Sequence, residues 1–150
     1  MFEGIATPAC FRRGETIVSP HGNEEMKKKK LILILEDVST YSLALKKSLK
    51  DEDCTIVVRT TQSSAREFFK ESQPDLIFCD GEAPDGTFIH AVPTHLWEKV
   101  VAISGSRGYN DAMKQKGAAA MVPKMGAACQ MWAEKAVAKG LVLLSAPSRT

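Results

Sequence analysis

The sequence lacks the features that mark a zinc finger, a disulfide-rich secreted protein or a membrane protein. Its four cysteines are far apart and none has CxxC spacing, so we expect free, buried thiols. No apolar stretch approaches the roughly 20 residues that a membrane-spanning helix needs. The first residues also lack the hydrophobic segment of a signal peptide. These absences favour a soluble cytoplasmic protein.

An excess of either charge is also missing. The chain has 20 basic and 18 acidic residues, and beyond residue 30 the two kinds are equal in number. The broad basic surface of a nucleic-acid-binding protein is therefore not expected. The run of lysines at 27–30 is a local exception. We interpret it as a solvated segment before a buried strand, and contact with nucleic acid or lipid is the alternative.

The size of the chain predicts one domain with one substantial core, because 150 residues with 44% apolar side chains leave no room for a separate effector domain. Residues 1–25 have no periodic pattern, so we expect a disordered extension or a true start further along the chain. We place the domain at 26–140 and a tail at 141–150. Its apolar segment LVLLSAP either packs back on the domain or forms a surface for a partner.

From Leu31 onward, short apolar runs alternate with amphipathic segments. The runs LILIL, CTIVV, DLIFC, VVAIS and AAAMV predict strands. Helices are predicted at TYSLALKKSLKDE, SAREFFKE, RGYNDAMKQK and GAACQMWAEKAVAK. Buried strands joined by crossover helices require a parallel sheet covered on both faces, so the predicted fold class is doubly wound α/β. Between the third and fourth strands, Pro93 and a weak helical pattern predict a helix that is short or missing.

The functional prediction depends on the polar residues that follow the strands. They are Glu36, Asp37, Asp80, Ser104 and Lys124. Because the carboxyl ends of parallel strands meet at one edge of a sheet, these side chains should converge there. Crowded carboxylates repel one another, so a hard cation such as Mg²⁺ is implied. A carboxylate beside this metal can attack phosphorus, while the hydroxyl and the ammonium stabilise charge on the phosphoryl oxygens.

The segment from Leu31 to Val137 resembles a response-regulator receiver domain. The resemblance lies in four motifs in the same order, ILILEDV, DLIFCDGEAPDG, VVAISG and AAAMVPK. It implies a flavodoxin-like receiver fold, whose five-stranded parallel sheet has the strand order 2-1-3-4-5. It also implies a stand-alone signalling domain, not an enzyme, in which Asp80 accepts a phosphoryl group from a histidine kinase or a phosphotransfer protein. The family removes this group itself by reaction with water.

The resemblance also implies a metal site. Asp37 and Asp80 would bind Mg²⁺ directly, Glu36 would bind it through water, and the main-chain carbonyl of Glu82 would complete the site. Because glutamate is longer than the commoner aspartate, Glu36 could instead be a solvated neighbour of the metal.

For the phosphoryl group, the resemblance implies that Ser104 and Lys124 contact its oxygens. Met121 stands where the family usually has an aromatic residue that moves inward on phosphorylation, so the output switch is expected to differ. Met125 follows the lysine where the family usually has proline. The implied partners are the phosphate donor and a downstream protein target, with homodimer formation left open. Neither nucleic acid nor a membrane is expected.

Two other functions remain open on the sequence. A degenerate receiver would keep the fold and the partner surfaces without using phosphate. Met121 and the shortened third helical region favour it, whereas the set of acids, hydroxyl and lysine opposes it. A small Mg²⁺-dependent phosphohydrolase would use Asp80 as a nucleophile on an external substrate. The short loop after Asp80 and the lack of a segment that could enclose a substrate oppose this second alternative.

Overall fold

The centre of the fold is a parallel sheet of five strands. The computed structural model describes residues 29–124 and 129–146. The strands are β1 (Lys30–Leu35), β2 (Cys54–Arg59), β3 (Leu76–Cys79), β4 (Val100–Ala102) and β5 (Ala120–Met121). They lie in the order 2-1-3-4-5, and each neighbouring pair is parallel. The predicted α/β class and strand order are confirmed.

Helices cover both faces of the sheet. They are α1 (Ser39–Ser48), α2 (Gln62–Glu71), α3 (Arg107–Lys116) and α4 (Cys129–Ser145). Alternate residues of β1 point to opposite faces, as the period of a strand requires. Ile32 and Ile34 pack in the core beneath α1 and α4, and Leu33 and Leu35 pack in the core beneath α2 and α3. Within the described residues, no helix is both long and apolar enough to cross a membrane.

The segment between β3 and β4 contains no α-helix, as its sequence predicts. A two-stranded hairpin formed by Glu82–Ala83 and Gly86–Thr87 follows the third strand. Two 3₁₀ helices then span Phe88–His90 and Thr94–Lys99, and the second begins after Pro93. Their apolar side chains Phe88, Leu96 and Trp97 are buried in the core, so this irregular segment covers the sheet where a helix is absent.

The last helix is longer than the sequence predicts. The sequence predicts an end near Gly140, but the helix continues to Ser145. Gly140 lies inside the helix, where the lack of a side chain allows close packing on β3, since a Cβ there would lie 2.7 Å from Leu76 Cδ2. Leu141, Leu143 and Leu144 pack against the core, so this part of LVLLSAP packs back on the domain.

Three of the cysteines are free thiols. Cys79 is buried, as predicted, whereas Cys54 and Cys129 are only partly buried. The predictions for residues 1–25, for the first lysines of the run at 27–30 and for Met125 lie outside the described residues.

Candidate functional site

Three acidic side chains meet at the carboxyl edge of the sheet, as the strand topology predicts. Glu36 and Asp37 follow β1, and Asp80 follows β3. One carboxylate oxygen of each residue lies within 4.8 Å of the others. Glu36 and Asp80 are buried, with exposures of 0% and 5%, whereas Asp37 is exposed to solvent. The cluster is therefore closed on the protein side and open at Asp37.

Lys124 lies between the two buried acids. Its Nζ is 2.5 Å from Oε1 of Glu36 and 3.2 Å from Oδ2 of Asp80. The ammonium also lies 4.1 Å from the centre of the Tyr41 ring. Burial by itself would lower the pKa of Lys124, but the hydrogen bonds and negative charges of Glu36 and Asp80 outweigh burial and raise it. The site therefore contains a permanent cation at neutral pH.

The carboxyl group of Glu36 is fully buried. The main-chain N–H of Val38 donates a hydrogen bond of 3.1 Å to its Oε2. Oε1 is close to the Lys124 ammonium but has no partner in hydrogen-bond geometry within residues 29–124 and 129–146. Burial raises the pKa of Glu36 to about 7, with Lys124 opposing the shift and the charge of Asp80 adding to it. Glu36 is thus held by the main chain of Val38 and paired with the Lys124 ammonium.

The side chains at this edge fit a divalent metal ion. Magnesium takes oxygen ligands and binds through one or two carboxylates while keeping several waters. Oε1 of Glu36, which is paired with Lys124 without hydrogen-bond geometry, could also accept from such a water, and the exposure of Asp37 leaves the cluster accessible. Glu82 begins the hairpin just after Asp80 and has an exposed side chain. The metal-binding role of its carbonyl stays a prediction.

The loop after Asp80 is held tightly by its own main chain. Oδ1 of Asp80 accepts a hydrogen bond of 2.7 Å from the N–H of Gly81. The carbonyl of Gly81 accepts from the hydroxyl of Thr87 and, at 3.2 Å, from the N–H of Phe88. A Cβ at Gly81 would lie 2.3 Å from Cβ and Cγ of Tyr109. Glycine is required at this position because Tyr109 packs directly on the main chain beside Asp80.

Ser104 is held from behind by Asn110, a residue that the sequence analysis missed. Oδ1 of Asn110 accepts from the N–H of Ser104 at 3.0 Å, and Nδ2 donates to its carbonyl at 2.8 Å. The hydroxyl of Ser104 accepts a hydrogen bond of 3.0 Å from the N–H of Ser106. Asn110 is three residues before the buried Met113 on the same helix, and a polar residue on a buried helix face needs a partner. The position of Asn110 on the buried face of the helix was therefore the feature of the sequence that could have identified it.

Tyr41 lies in the first segment that the sequence predicts to be helical, with no role in the site. In the structure it also contacts the site, because its ring faces Lys124 on one side and meets Trp132 edge-on at 5.3 Å. The indole N–H of Trp132 donates to the carbonyl of Val122 at 2.9 Å and so fixes this aromatic pair. Met121, at the predicted switch position, ends β5 and is 37% exposed.

Several solved receiver-domain structures are similar to this chain. The response regulator domain of CheB from Thermotoga maritima is 19% identical with a TM-score of 0.65, over 81% of this chain and 100% of its own. The Mn²⁺-bound form of the response regulator Rcp1 is 16% identical with a TM-score of 0.66, over 81% and 99% of the two chains. The phosphorylated cyanobacterial phytochrome response regulator RcpA is 19% identical with a TM-score of 0.67, over 81% and 98%.

At these identities the similarity establishes the fold, which is that of receiver domains. No protein-family model matches the sequence, and no curated protein matches it. The function of the chain is therefore inferred from the residues of its own site.

Proposed function

We propose that this chain, which has the receiver-domain fold, accepts a phosphoryl group on Asp80 in a Mg²⁺-dependent reaction and signals by contact with another protein. The observation that carries the proposal is the position of Asp80. It lies at the carboxyl edge of the sheet, 3.2 Å from the Lys124 ammonium and within the acidic cluster. We place the protein in the cytoplasm, with a histidine kinase or a phosphotransfer protein as donor.

In the proposed reaction, a carboxylate oxygen of Asp80 attacks the phosphorus of a phosphohistidine. An O–P bond forms, the P–N bond breaks, and the histidine nitrogen keeps the electron pair of that bond. Mg²⁺, when bound by Asp37 and Asp80, would neutralise charge on the acceptor and on the phosphoryl oxygens. No enzymatic activity on an external substrate is proposed. Slow hydrolysis of the aspartyl phosphate by water would return Asp80 to its starting state.

Lys124 and Ser104 would hold the transferred group. The ammonium already contacts Oδ2 of Asp80, so it needs to move little to meet an oxygen of a phosphoryl group formed there. The phosphoryl group adds about −1.5 to −2 charge, which favours Lys124 turning from Glu36 toward the new group. The Ser104 hydroxyl, only 2% exposed as a residue, would donate to a second oxygen.

A receiver that no longer uses phosphate is the second candidate. Met121 at the switch position favours this second candidate, because its side chain is partly exposed and flexible and so gives the site no rigid group to move. The intact set of Asp80, Lys124 and Ser104 opposes it. A phosphohydrolase is less well supported, since the segment after Asp80 is a hairpin too short to enclose a substrate.

Intact-mass measurement after incubation with acetyl phosphate and Mg²⁺ tests the proposal. The protein should gain one phosphoryl group, and Asp80→Asn should gain none. Asp111→Asn removes an exposed carboxylate from α3 and serves as the matched control that should still be phosphorylated. Failure of the wild-type protein to gain mass under conditions where it binds Mg²⁺ would contradict the proposal and support the second candidate.

A further inference from the structure

Asn110 is a buried polar side chain whose amide oxygen and nitrogen are both used. The residue is 2% exposed and lies on the second turn of α3, facing the end of β4. A buried amide costs free energy unless it is hydrogen-bonded. Both of its hydrogen bonds go to the main chain of one residue, Ser104, at 3.0 Å to the N–H and 2.8 Å to the carbonyl. Two bonds of this kind fix both the position and the rotation of the Ser104 backbone.

The same carbonyl oxygen connects Ser104 to Lys124. It accepts from Nδ2 of Asn110 and also, at 3.3 Å, from the main-chain N–H of Lys124. This last hydrogen bond lies beyond the end of β5, which closes at Met121. Asn110 therefore holds the residue that anchors the main chain of Lys124, although it does not contact Lys124 itself.

The metal-binding acids depend on a different part of the sheet. Glu36 and Asp37 follow β1 and Asp80 follows β3, and the N–H of Asp80 donates to the carbonyl of Leu35 at 3.0 Å. None of the hydrogen bonds made by the side chain of Asn110 reaches these strands. A change at Asn110 should thus disturb the groups proposed to hold the phosphoryl oxygens and leave the three carboxylates of the metal site in place.

We propose that Asn110 is a positioning residue for phosphoryl transfer, an inference that rests on the proposed function. It holds Ser104, and through the Ser104 carbonyl the main chain of Lys124, where the hydroxyl and the ammonium can meet the phosphoryl oxygens. Asn110 contacts neither the metal nor the transferred group. It acts by positioning Ser104 and Lys124, which are the groups proposed to contact the phosphoryl oxygens.

The test compares Asn110→Ala with Met113→Ala, which removes a fully buried side chain from the same helix without touching Ser104. Phosphoryl uptake from acetyl phosphate is followed by intact mass at saturating Mg²⁺, well below the melting temperatures. Because a misplacement of about 1 Å can cost about 100-fold in rate, Asn110→Ala should slow uptake by about 10- to 100-fold. Its Mg²⁺ affinity should stay that of the wild type, and Met113→Ala should keep the wild-type rate.

Equal slowing in both variants would make the role of Asn110 merely structural and overturn the proposal, as would normal uptake by Asn110→Ala. If that variant does not fold, amide hydrogen exchange of the wild-type protein decides, because a Ser104 amide held by Asn110 must be as protected as the core. Rapid exchange there would contradict it. A wild-type protein that takes up no phosphate overturns the proposed function as well, which separates the two failures.

Discussion

At the scale of single residues, buried charge dominates the site. Glu36 and Asp80 are two buried acids and Lys124 is their shared cation, so the charges inside the protein do not fully balance. Removing one partner of a buried ion pair leaves the other charge desolvated and unpaired. This costs far more free energy of folding than replacing both partners by apolar residues. The lysine therefore contributes to the stability of the metal-free protein as well as to the proposed chemistry.

Replacing Lys124 by methionine should destabilise the metal-free protein, by roughly 3 kcal/mol near pH 8. Burial raises the pKa of Glu36 from 4.5 to about 7, so ionised Glu36 is disfavoured in the folded state and destabilises it as the pH rises through this window. The loss should therefore be smaller near pH 5, where Glu36 is protonated. Denaturant unfolding without metal measures both values, and Lys135→Met, an exposed lysine of α4, is the control. A pH-independent loss would contradict the assignment to Glu36.

Replacing Asp37 by asparagine should weaken Mg²⁺ binding with little change in stability, because Asp37 is the exposed member of the cluster. The dissociation constant should rise at least about tenfold, since even loss of an outer-shell partner costs a metal site this much. Calorimetric titration measures it. Asp53→Asn, which alters an exposed carboxylate at the opposite edge of the sheet, should bind like the wild type. An unchanged affinity in Asp37→Asn would remove this residue from the site.

At the scale of elements, the hairpin after Asp80 is fastened to the start of α2. The carboxylate of Asp85 accepts hydrogen bonds from the N–H groups of Gln62 at 2.6 Å and Ser63 at 3.0 Å. In return, the side-chain oxygen of Gln62 accepts from the N–H of Thr87 at 3.0 Å. The free N–H groups of a helix start thus anchor the loop that carries Asp80 and Glu82.

Asp85→Ala should lower the melting temperature at neutral pH but not in acid. The hydrogen bond from Gln62, with that from Ser63 and the charge of Arg66, lowers the pKa of Asp85. A lowered pKa means that its stabilisation is present above the ordinary pKa of aspartate and is lost as the pH falls through the lower value of the folded state. Thermal melts across this range, with Asp51→Ala as an exposed control, would show the difference closing. A constant difference would exclude the ionised carboxylate as the cause.

At the scale of the whole molecule, the outer surface must change if phosphorylation is to be read by a partner. The N–H of Ser106 donates to the Ser104 hydroxyl, and the Ser106 hydroxyl accepts from the N–H of Tyr109, so the start of α3 is linked to the site. Beyond that turn, we expect the linkage to depend on Met121, which stands where receiver domains usually have an aromatic switch. A flexible methionine fills either of two positions with little preference, so it makes a poor two-state element.

Beryllofluoride, a phosphoryl mimic, should therefore produce local changes in the amide NMR spectrum. Large shifts are expected at Asp80, Ser104, Lys124 and Tyr109, the last because its ring packs on Gly81. Shifts should be small on the exposed face of α3 at 111–116. Large, concerted shifts across that face would contradict the prediction and indicate that a residue other than Met121 has taken over the switch.

The sequence was sufficient for the sheet and for the residues at its edge, because both depend on local patterns. Apolar runs place the strands, and in a parallel sheet the residue after each run must lie at the same edge. It was not sufficient for Asn110, Asp85 or Tyr41, whose importance comes from packing. Asp85 and Gln62 are separated by 23 positions, and nothing in either segment alone indicates that they meet. The end of α4 was missed because the leucines after Gly140 pack on a core built by other segments.

The contact between Lys124 and Tyr41, whose ring packs on Trp132, should affect tryptophan fluorescence. The protein contains two tryptophans, and Trp132 meets edge-on the tyrosine whose ring faces the ammonium. Trp97 lies on the other face of the sheet, in the core beneath α2 and α3. In a Trp97→Phe protein, indole emission would come from Trp132 alone. Movement of Lys124 toward a phosphoryl group on Asp80 would then change the emission spectrum of Trp132. This tryptophan would report phosphorylation without an added label.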